Sequence, residues 1–569
     1  MKSVLLCRRQ LLALPLGLPW AKASLAQTGL QAQWLETDDN RFHVLLSSQR
    51  PLTAAEAAPE QWVLEPPLAL SGVQALDEAG QRWRLSLLQQ PPARGQLLVR
   101  HRSAPGRSSL AFADLMLDAP SLSRSARSSL PWPWLPSRPD WLAVYEAAWA
   151  ALEAQLKRSS AEPDDKAALL DHSDTCFTAL YAMYGVGSLA QGSMAQLDRL
   201  YRSQRPDGAL VAGPDLVRLP LLAWVELRYW QRIGDASRLT RVVPLLDRHW
   251  RWLEVQDAGL EAKAQLLQAA ECMVVLAGQQ RDAALASHYR SKAEQMAVQL
   301  NEALWHEATQ RYVDGPEAGP APRRINLGNF WPLLTAAPSA ERARATIERW
   351  LKAPAHFNTP HRFPSLPRSD ADYSPLGQLG RGHVSVAANY ALIQGLLRHD
   401  PDFAFDSALK QVEQMSAVFH RFDPATHPQR LPTLADETAP RQGNGKRQLW
   451  QAYSPEQPAP ATRPDGKLVR QQGAAAAGLG PVALLIEQLL GIDVRADAGF
   501  IAWTPRLPEP QGLDRIGFQG GRVSLRLEPR GEQWQLSVQN DRKLLLVLAL
   551  PGRAPEELTL SPGRYQELL

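Results

Sequence analysis

The chain has 569 residues, of which 45% are hydrophobic and 21% are charged, a composition typical of a soluble globular protein. Its 62 Lys and Arg residues against 58 Asp and Glu residues give a formal net charge of +4, which argues against a nucleic-acid-binding or membrane-surface protein. The 18 tryptophans predict either large cores or flat surfaces that stack on ligands.

The first 26 residues have the pattern of a bacterial export signal. Lys2, Arg8 and Arg9 form a basic region, and residues 11–20 form an apolar segment that is too short to span a bilayer. Residues 24–26 (Ser-Leu-Ala) are a small-x-small cleavage site. The paired arginines resemble a twin-arginine motif, and a Sec signal is the alternative. We therefore expect a periplasmic or secreted protein without a membrane span.

Cysteine and glycine patterns give no sign of a cofactor. Cys7 leaves with the signal, whereas Cys176 and Cys272 lie in helical patterns and are expected as two buried thiols, with a disulfide as the alternative. CxxC and HxxxH spacings are absent, so we expect no metal site. GxGxxG and P-loop patterns are also absent, so we expect no nucleotide cofactor.

Residues 28–130 read as a β-rich, sandwich-like N-terminal domain. Apolar and polar residues alternate with period 2 in three segments separated by turn residues, at 42–46, 82–87 and 96–100. The stretch 120–139, rich in Ser, Arg and Pro, is predicted to be a linker.

From Trp141 the hydrophobic period changes to 3.6, which predicts helices. Twelve helices with short connections favour six helical hairpins closed into an (α/α)6 barrel over residues 140–492. A helical repeat array is the alternative, although no fixed-period repeat is visible. The predicted helices are 141–158, 174–184, 189–204, 218–233, 236–255, 260–279, 283–305, 327–335, 339–352, 384–398, 402–419 and 474–490.

Residues 493–569 return to period 2 and predict a small C-terminal β domain. Its strand-like segments are 522–527, 533–538 and 543–550, the first of which follows a Gly-Gly turn. The chain is thus expected to be mainly α, with a β domain before and after the helical barrel.

Seven segments of the helical region resemble, in order, those of the mannosylglycerate hydrolase-like six-hairpin glycoside hydrolase domain, which is related to family 63 glucosidases and trehalases. They include DTCFTAL at 174–180, LDRLY at 197–201, AWVE at 223–226, NEALW at 301–305, FPSL at 363–366, the segment 381–390, and WQAYSPE at 450–456, and the closing helix follows from 478. The resemblance implies an (α/α)6 barrel, hydrolysis of an α-linked sugar by an inverting mechanism, and a carbohydrate partner.

The catalytic positions depart from this pattern. An inverting glycosidase needs a general acid and a general base, and the base position falls on Gln451, whose amide cannot accept a proton. The loop that carries the family's acid is missing. Asp257 is the nearby candidate for the acid, with an N-cap of the helix from 260 as its alternative role. Glu456 is a second weak candidate, with a turn or cap role as the alternative.

The resemblance also implies a set of substrate-binding residues: Asp174, Trp224, Glu226, Arg381, Asn389, Tyr390, Trp450 and Tyr453. Alternative roles remain open for three of them: a helix cap for Asp174, a solvated helix face for Glu226 and a structural ion pair for Arg381. Three positions where the family stacks sugars on Trp fall on Gly380, Ser385 and Ala476.

Two hypotheses follow. The first is a catalytically degenerate, glycan-binding protein, and the second is an active inverting α-glycosidase with a relocated acid/base pair. The losses at catalytic and stacking positions agree with each other and favour the first, because fold alone does not fix function.

Overall fold

The structure is a computed structural model that describes residues 30–35, 43–48, most of 51–111, 122, 124–161, 172–185, 188–212, 215–256, 258–314, 324–423, 447–469, 476–531 and 533–569. The chain divides into two compact units. Among the described residues, the first unit ends at 111 and the second begins at 122. The predicted signal peptide lies outside the described residues.

The first unit consists of antiparallel strands, as the period-2 pattern predicts. In β5 every second residue is buried, namely Trp83, Leu85 and Leu87. The strands form two sheets, in the orders β1-β2-β5-β4 and β3-β6-β7. They are β1 (Leu30–Leu35), β2 (His43–Ser48), β3 (Trp62–Glu65), β4 (Leu70–Ala75), β5 (Arg82–Leu87), β6 (Gln96–His101) and β7 (Arg107–Ala111).

Among its described residues, the second unit contains a helix at each of the twelve predicted positions, and one more, α1, inside the predicted linker. The segment Leu327–Leu334, which contains Pro332, is a 3₁₀ helix rather than an α-helix. The α-helices are α1 (Arg124–Ser129), α2 (Pro139–Ala161), α3 (His172–Ala182), α4 (Ser188–Arg202), α5 (Leu222–Ile233), α6 (Ala236–Glu254), α7 (Leu260–Gln279), α8 (Ala283–Gln299), α9 (Ala340–Thr346), α10 (Val386–Leu396), α11 (Pro401–Arg421) and α12 (Ala476–Ala483). Three of them continue as π-helical turns, α8 over Leu300–Leu304, α9 over Ile347–Leu351 and α12 over Leu484–Leu489.

Six of these helices contact one another in a closed cycle. The order is α3, α5, α7, the 3₁₀ helix, α10, α12 and back to α3. Helices α2, α4, α6, α8 and α11 each pack against one or more members of this ring. The ring helices are covered on most sides, and α10 accordingly buries most of its residues, including Asn389 and Tyr390.

Short polar side chains fix where several helices begin. The side chains of Asp235, Asp282, Ser339, Ser385 and Asp400 each accept a hydrogen bond from a backbone N–H in the first turn of the helix that follows. Each cap fixes the residue at which a helix begins, and so it also fixes where the preceding loop ends.

Two sheets follow the ring. Their orders are β13-β14-β18-β19 and β20-β17-β16-β15-β8. Trp503 is fully buried, and its Nε1 donates to the Leu490 carbonyl at 2.9 Å, which joins these strands to the last ring helix. The described strands of this unit, including those of the two sheets, are β8 (Trp132–Pro133), β9 (Leu210–Ala212), β10 (Asp215–Val217), β11 (Trp305–His306), β12 (Arg311–Tyr312), β13 (Ile492–Arg495), β14 (Phe500–Trp503), β15 (Gln511–Phe518), β16 (Gly521–Arg530), β17 (Gln533–Asn540), β18 (Leu544–Leu548), β19 (Glu556–Leu560) and β20 (Gly563–Leu568).

The described residues were also compared with the predictions for membrane spans and for the cysteines. None of their helices combines the length and the apolar character needed to cross a membrane. Cys176 and Cys272 are buried free thiols, as predicted.

Candidate functional site

Two segments that precede ring helices α10 and α12 form one hydrogen-bonded layer. We call residues 361–385 and 447–469 the loop layer. Val384 and Tyr453 exchange backbone hydrogen bonds of 2.9 and 3.1 Å, and the Leu379 amide donates to the Thr462 carbonyl at 2.8 Å. The layer contains five of the positions at which the family resemblance placed catalysis and binding: Arg381, Trp450, Gln451, Tyr453 and Glu456.

Gln451, at the predicted base position, is exposed in the loop layer. Glu456 is held tightly in the same layer. Both of its carboxylate oxygens accept from Arg368, at 2.6 to 2.9 Å, and one also accepts from the Tyr373 hydroxyl at 2.6 Å. Partial burial and the hydrogen bond to Glu456 raise the pKa of Tyr373. The Glu456 carboxylate is therefore neutralised by a fixed partner.

Arg381 also lies in this layer, where it forms an ion pair with Asp372. Arg324 binds the same carboxylate at 2.7 Å and Asp370 at 3.2 Å. The hydrogen bond and charge of Arg381, helped by Arg324, lower the pKa of Asp372. The guanidinium of Arg381 thus has a partner within the protein.

Asp174, another predicted binding residue, lies in the first turn of α3.

Two other predicted binding residues contact neighbouring elements of the protein. Glu226 is fully buried on α5, where it accepts two hydrogen bonds of 2.7 Å from Arg238 and one of 3.0 Å from the Tyr201 hydroxyl. Asn389 accepts from the Phe363 amide at 2.8 Å and donates to the Ser385 carbonyl at 2.8 Å. Asn389 therefore holds the loop layer against α10.

The predicted aromatic residues all lie within the core. Trp450, Tyr453 and Tyr390 are fully buried, and Trp224 is 7% exposed. Trp224 stacks on Tyr390 with ring centroids 6.2 Å apart, and Tyr181 meets Tyr390 edge-on at 4.9 Å. The structure gives these rings a packing role, and sugar stacking on them stays a prediction.

The start of α7 lies where the resemblance expects the general acid. Asp257 lies outside the described residues. Gly259 is the residue before α7, and the Leu260 amide donates to Asp314 at 2.7 Å. One residue further on, the side chain of Glu261 reaches solvent with its carboxylate against Gly328. Desolvation of this carboxyl group and the charge of Asp314 raise its pKa.

Sequence reasoning missed a buried polar network around Glu487. The Glu487 carboxylate accepts from Gln394 at 2.7 Å, from Tyr390 at 3.0 Å and from Arg232 at 3.2 Å, and it also accepts from Tyr184. Arg228 lies 3.6 Å away. We call these six residues the Glu487 network.

Electrostatics keep Glu487 ionised. Burial acts to raise its pKa, but the charges of Arg228 and Arg232 and the tyrosine hydrogen bonds outweigh burial and lower it. The network joins the turn after α3, helices α5 and α10, and the π-helical continuation of α12 through one carboxylate. A sequence signal existed, because Trp224, Arg228 and Arg232 are spaced by four residues and so share one face of α5. Among the described residues, no cluster of His, Cys, Asp and Glu could hold a metal ion.

Comparison with known proteins bears on the helical region. A protein of Borreliella burgdorferi, itself uncharacterised, is 20% identical over 440 residues, which are 70% of this chain and 88% of that protein. A GH78 family rhamnosidase of Bacillus sp. GL1 is similar in structure, with a TM-score of 0.54 and 12% identity, over 92% of this chain and 54% of the rhamnosidase.

A sialidase is also similar in structure, with a TM-score of 0.55 and 11% identity, over 81% of this chain and 45% of the sialidase. The chain thus spans about half the length of these two enzymes. At such low identity, the two similarities concern the fold, which is helix-rich with separate β regions. Residues 255–465 match the family model of the mannosylglycerate hydrolase MGH1-like glycoside hydrolase domain, so the resemblance predicted from the sequence is confirmed for that segment.

Proposed function

We propose that this chain is an exported, glycan-binding protein of carbohydrate metabolism, built on a glycoside hydrolase-like (α/α)6 barrel that no longer hydrolyses glycosides. The closed cycle of six ring helices supports the barrel. The family match over residues 255–465 supports a carbohydrate ligand. The loss of hydrolysis rests on the chemistry of the loop layer.

The observation that carries the proposal is Gln451. In an inverting glycosidase a carboxylate must take a proton from the attacking water. The exposed amide of Gln451 cannot do this at neutral pH. Glu456 is near in sequence, but Arg368 and Tyr373 already bind its oxygens, so its carboxylate serves as a structural partner in the loop layer.

Other acidic residues within the described ranges support the same conclusion. Glu226, Asp372 and Glu487 each bind at least one arginine. Because arginines of the protein already bind their oxygens, these carboxylates serve as structural partners.

The test combines a hydrolysis screen with a binding screen. Wild type is expected to bind glycans from a panel of α-linked oligosaccharides while releasing no sugar. The Gln451→Glu variant is expected to gain measurable hydrolysis, of the order of a hundredfold over background, because a carboxylate at this position can accept the proton of the attacking water. Gln457→Glu, at another exposed glutamine of the loop layer, is the matched control and should gain none.

Two results would contradict the proposal. Hydrolysis by wild type that Gln451→Glu does not increase would place the base elsewhere. Failure of the wild type to bind any glycan of the panel would remove the ligand class itself.

Glu261 favours a second candidate function, the active hydrolase. Burial of its carboxyl group and the charge of Asp314 raise its pKa, which is the direction that a general acid requires. It also lies at the start of α7, close in sequence to the missing acid loop. On this hypothesis wild type hydrolyses a substrate of the panel, and Glu261→Gln lowers kcat at least a hundredfold, whereas Glu302→Gln, at an exposed glutamate, has no effect.

Export is part of the proposal and has its own test. N-terminal sequencing of the protein from a bacterial periplasmic fraction is expected to begin at Gln27. Replacing Arg8 and Arg9 by lysine should block export by a twin-arginine route and leave a Sec route intact. Full-length protein retained in the cytoplasm, with residues 1–26 attached, would contradict export.

A further inference from the structure

A cavity of about 470 Å³ lies where α3 and α5 end beside β15 and β16. We call it the junction cavity. Its volume is within the range of small-molecule sites. Apolar side chains form much of its wall: Met183, Ile233, Val494, Leu513, Ile516 and Phe518. It is lined by none of the residues of the loop layer.

Aromatic and planar polar side chains complete the wall. Tyr184 and Tyr229 contribute rings, while Gln519, Arg522 and Asp541 contribute groups that donate or accept hydrogen bonds. This combination is suited to a sugar ring, whose C–H face packs on aromatic and apolar surface while its hydroxyls bond to planar polar groups.

Arg232 provides an independent observation. It lines the junction cavity, is 4% exposed, and donates through Nη2 to Tyr184 and Glu487. Its Nε and Nη1 have no hydrogen-bond acceptor among the described residues. These two nitrogens have almost no accessible surface, so Arg232 contributes a positive charge to the wall rather than donors that a ligand can reach.

A second concave region continues from the junction cavity. It measures about 970 Å³, lies on the face of β15, β16, β17 and β20, and shares Arg522 and Asp541 with the cavity. Charges of opposite sign alternate along it, and Arg526 pairs with Asp514 at 2.7 Å. Because the two concave regions adjoin, they favour an elongated ligand. Because positive and negative side chains alternate along the second region, it favours a ligand without a net charge.

We propose that the junction cavity and the adjoining sheet face bind a neutral oligosaccharide, at a site separate from the loop layer. The inference deepens the proposed function and rests on its ligand class. One sugar ring would lie in the junction cavity beside Tyr229, and the following units would extend over Arg522 onto the sheet face.

The experiment measures binding of the full chain to an array of neutral oligosaccharides and of uronic-acid oligosaccharides. Ile233→Trp narrows the cavity from an exposed position, and Tyr229→Ala removes a ring. Each is expected to weaken binding of a neutral oligosaccharide at least tenfold. Leu216→Trp, at another exposed aliphatic residue, is the matched control and should bind like wild type.

Hydrogen–deuterium exchange with the bound oligosaccharide separates this inference from the proposed function. Protection of residues 513–522 supports the junction site, whereas protection of residues 378–385 supports binding at the loop layer. Protection confined to the loop layer, or unchanged binding by both cavity variants, would overturn the junction site alone. Binding restricted to uronic-acid oligosaccharides would overturn the neutral class, and no binding on the array would overturn both proposals.

Discussion

Glu487 links several ring helices, because it lies in the π-helical continuation of α12 and its carboxylate binds partners from α5, α10 and the turn after α3. The Glu487→Gln change keeps the size but removes the charge, which leaves the buried Arg232 without its carboxylate partner and Arg228 with only Asp493, at 3.9 Å. We expect the free energy of unfolding to fall by about 3–5 kcal/mol. Urea unfolding followed by circular dichroism measures this.

The control for that experiment is Glu294→Gln, at an exposed glutamate on α8. It should change the free energy of unfolding by less than about 0.5 kcal/mol, as surface substitutions generally do. Equal effects of the two variants would show that the Glu487 network does not stabilise the ring.

His249 predicts a loss of stability in acid. Its Nδ1 lies 3.0 Å from the Gly208 carbonyl, and its Nε2 accepts from the Leu219 amide at 3.4 Å, so the ring is neutral in the fold. Burial lowers its pKa from 6.5 to about 4, although the bond to Gly208 opposes this. As the pH falls, His249 takes up a proton in the unfolded chain at a higher pH than in the fold. The stability that the neutral ring gives the fold is therefore fully present above pH 6.5 and is lost as the pH falls towards 4.

Between pH 6.5 and pH 4, His249 is expected to lower the free energy of unfolding by about 3 kcal/mol. Urea unfolding at a series of pH values measures it. In His249→Gln the free energy of unfolding should depend less steeply on pH over this interval, whereas His420→Gln, at an exposed histidine of α11, should keep the wild-type slope. A wild-type slope in His249→Gln would contradict the assignment.

At the level of helices, the close approach of α10 and α12 depends on Gly480. A Cβ at this position would lie 2.0 Å from Cγ1 of Val386 but 3.4 Å from its Cβ. Gly480→Ala should therefore lower the free energy of unfolding by about 1–3 kcal/mol through overpacking. Adding Val386→Ala removes the clashing methyl group.

The double variant should then be more stable than the sum of the two single changes predicts, by about 1 kcal/mol. Thermal or urea unfolding of the four proteins gives this interaction energy. Simple additivity would mean that the two helices relax apart and that their close contact is not needed.

The elements that could be predicted from the sequence are those with a strong local pattern. The ring helices and their neighbours could be predicted because apolar residues recur with period 3.6. Helix α1 was missed because its Ser- and Arg-rich sequence resembles a linker.

The candidate site was harder to predict, because its chemistry depends on partners distant in sequence. Sequence reasoning found that Gln451 replaces a carboxylate, but it could not show that Arg368 binds Glu456 across 88 residues. Similarly, a tryptophan in a family motif can pack or stack on a sugar. Only the fold shows that Trp450 is fully buried.

For the whole molecule, the two units are expected to respond differently to core mutations. One continuous apolar core runs from Leu122 to Leu560 and includes the ring helices as well as the C-terminal strands. Leu525 of β16 belongs to it, whereas Leu85 of β5 lies in the first unit, and both side chains are fully buried. The C-terminal strands should therefore unfold together with the helices, and the first unit should unfold independently.

Leu525→Ala and Leu85→Ala provide a matched test, since each removes the same atoms and should cost its own unit about 2–5 kcal/mol. Thermal unfolding followed by circular dichroism at 222 nm reports mainly on the helices. Leu525→Ala is expected to lower the midpoint of this helical transition, although the mutation lies in a strand, and Leu85→Ala should leave it unchanged. A lower helical midpoint in Leu85→Ala would mean that the two units unfold as one. An unchanged midpoint in Leu525→Ala would mean that the C-terminal strands are a separate domain. The junction cavity would then lie between two independently stable domains rather than within a single one.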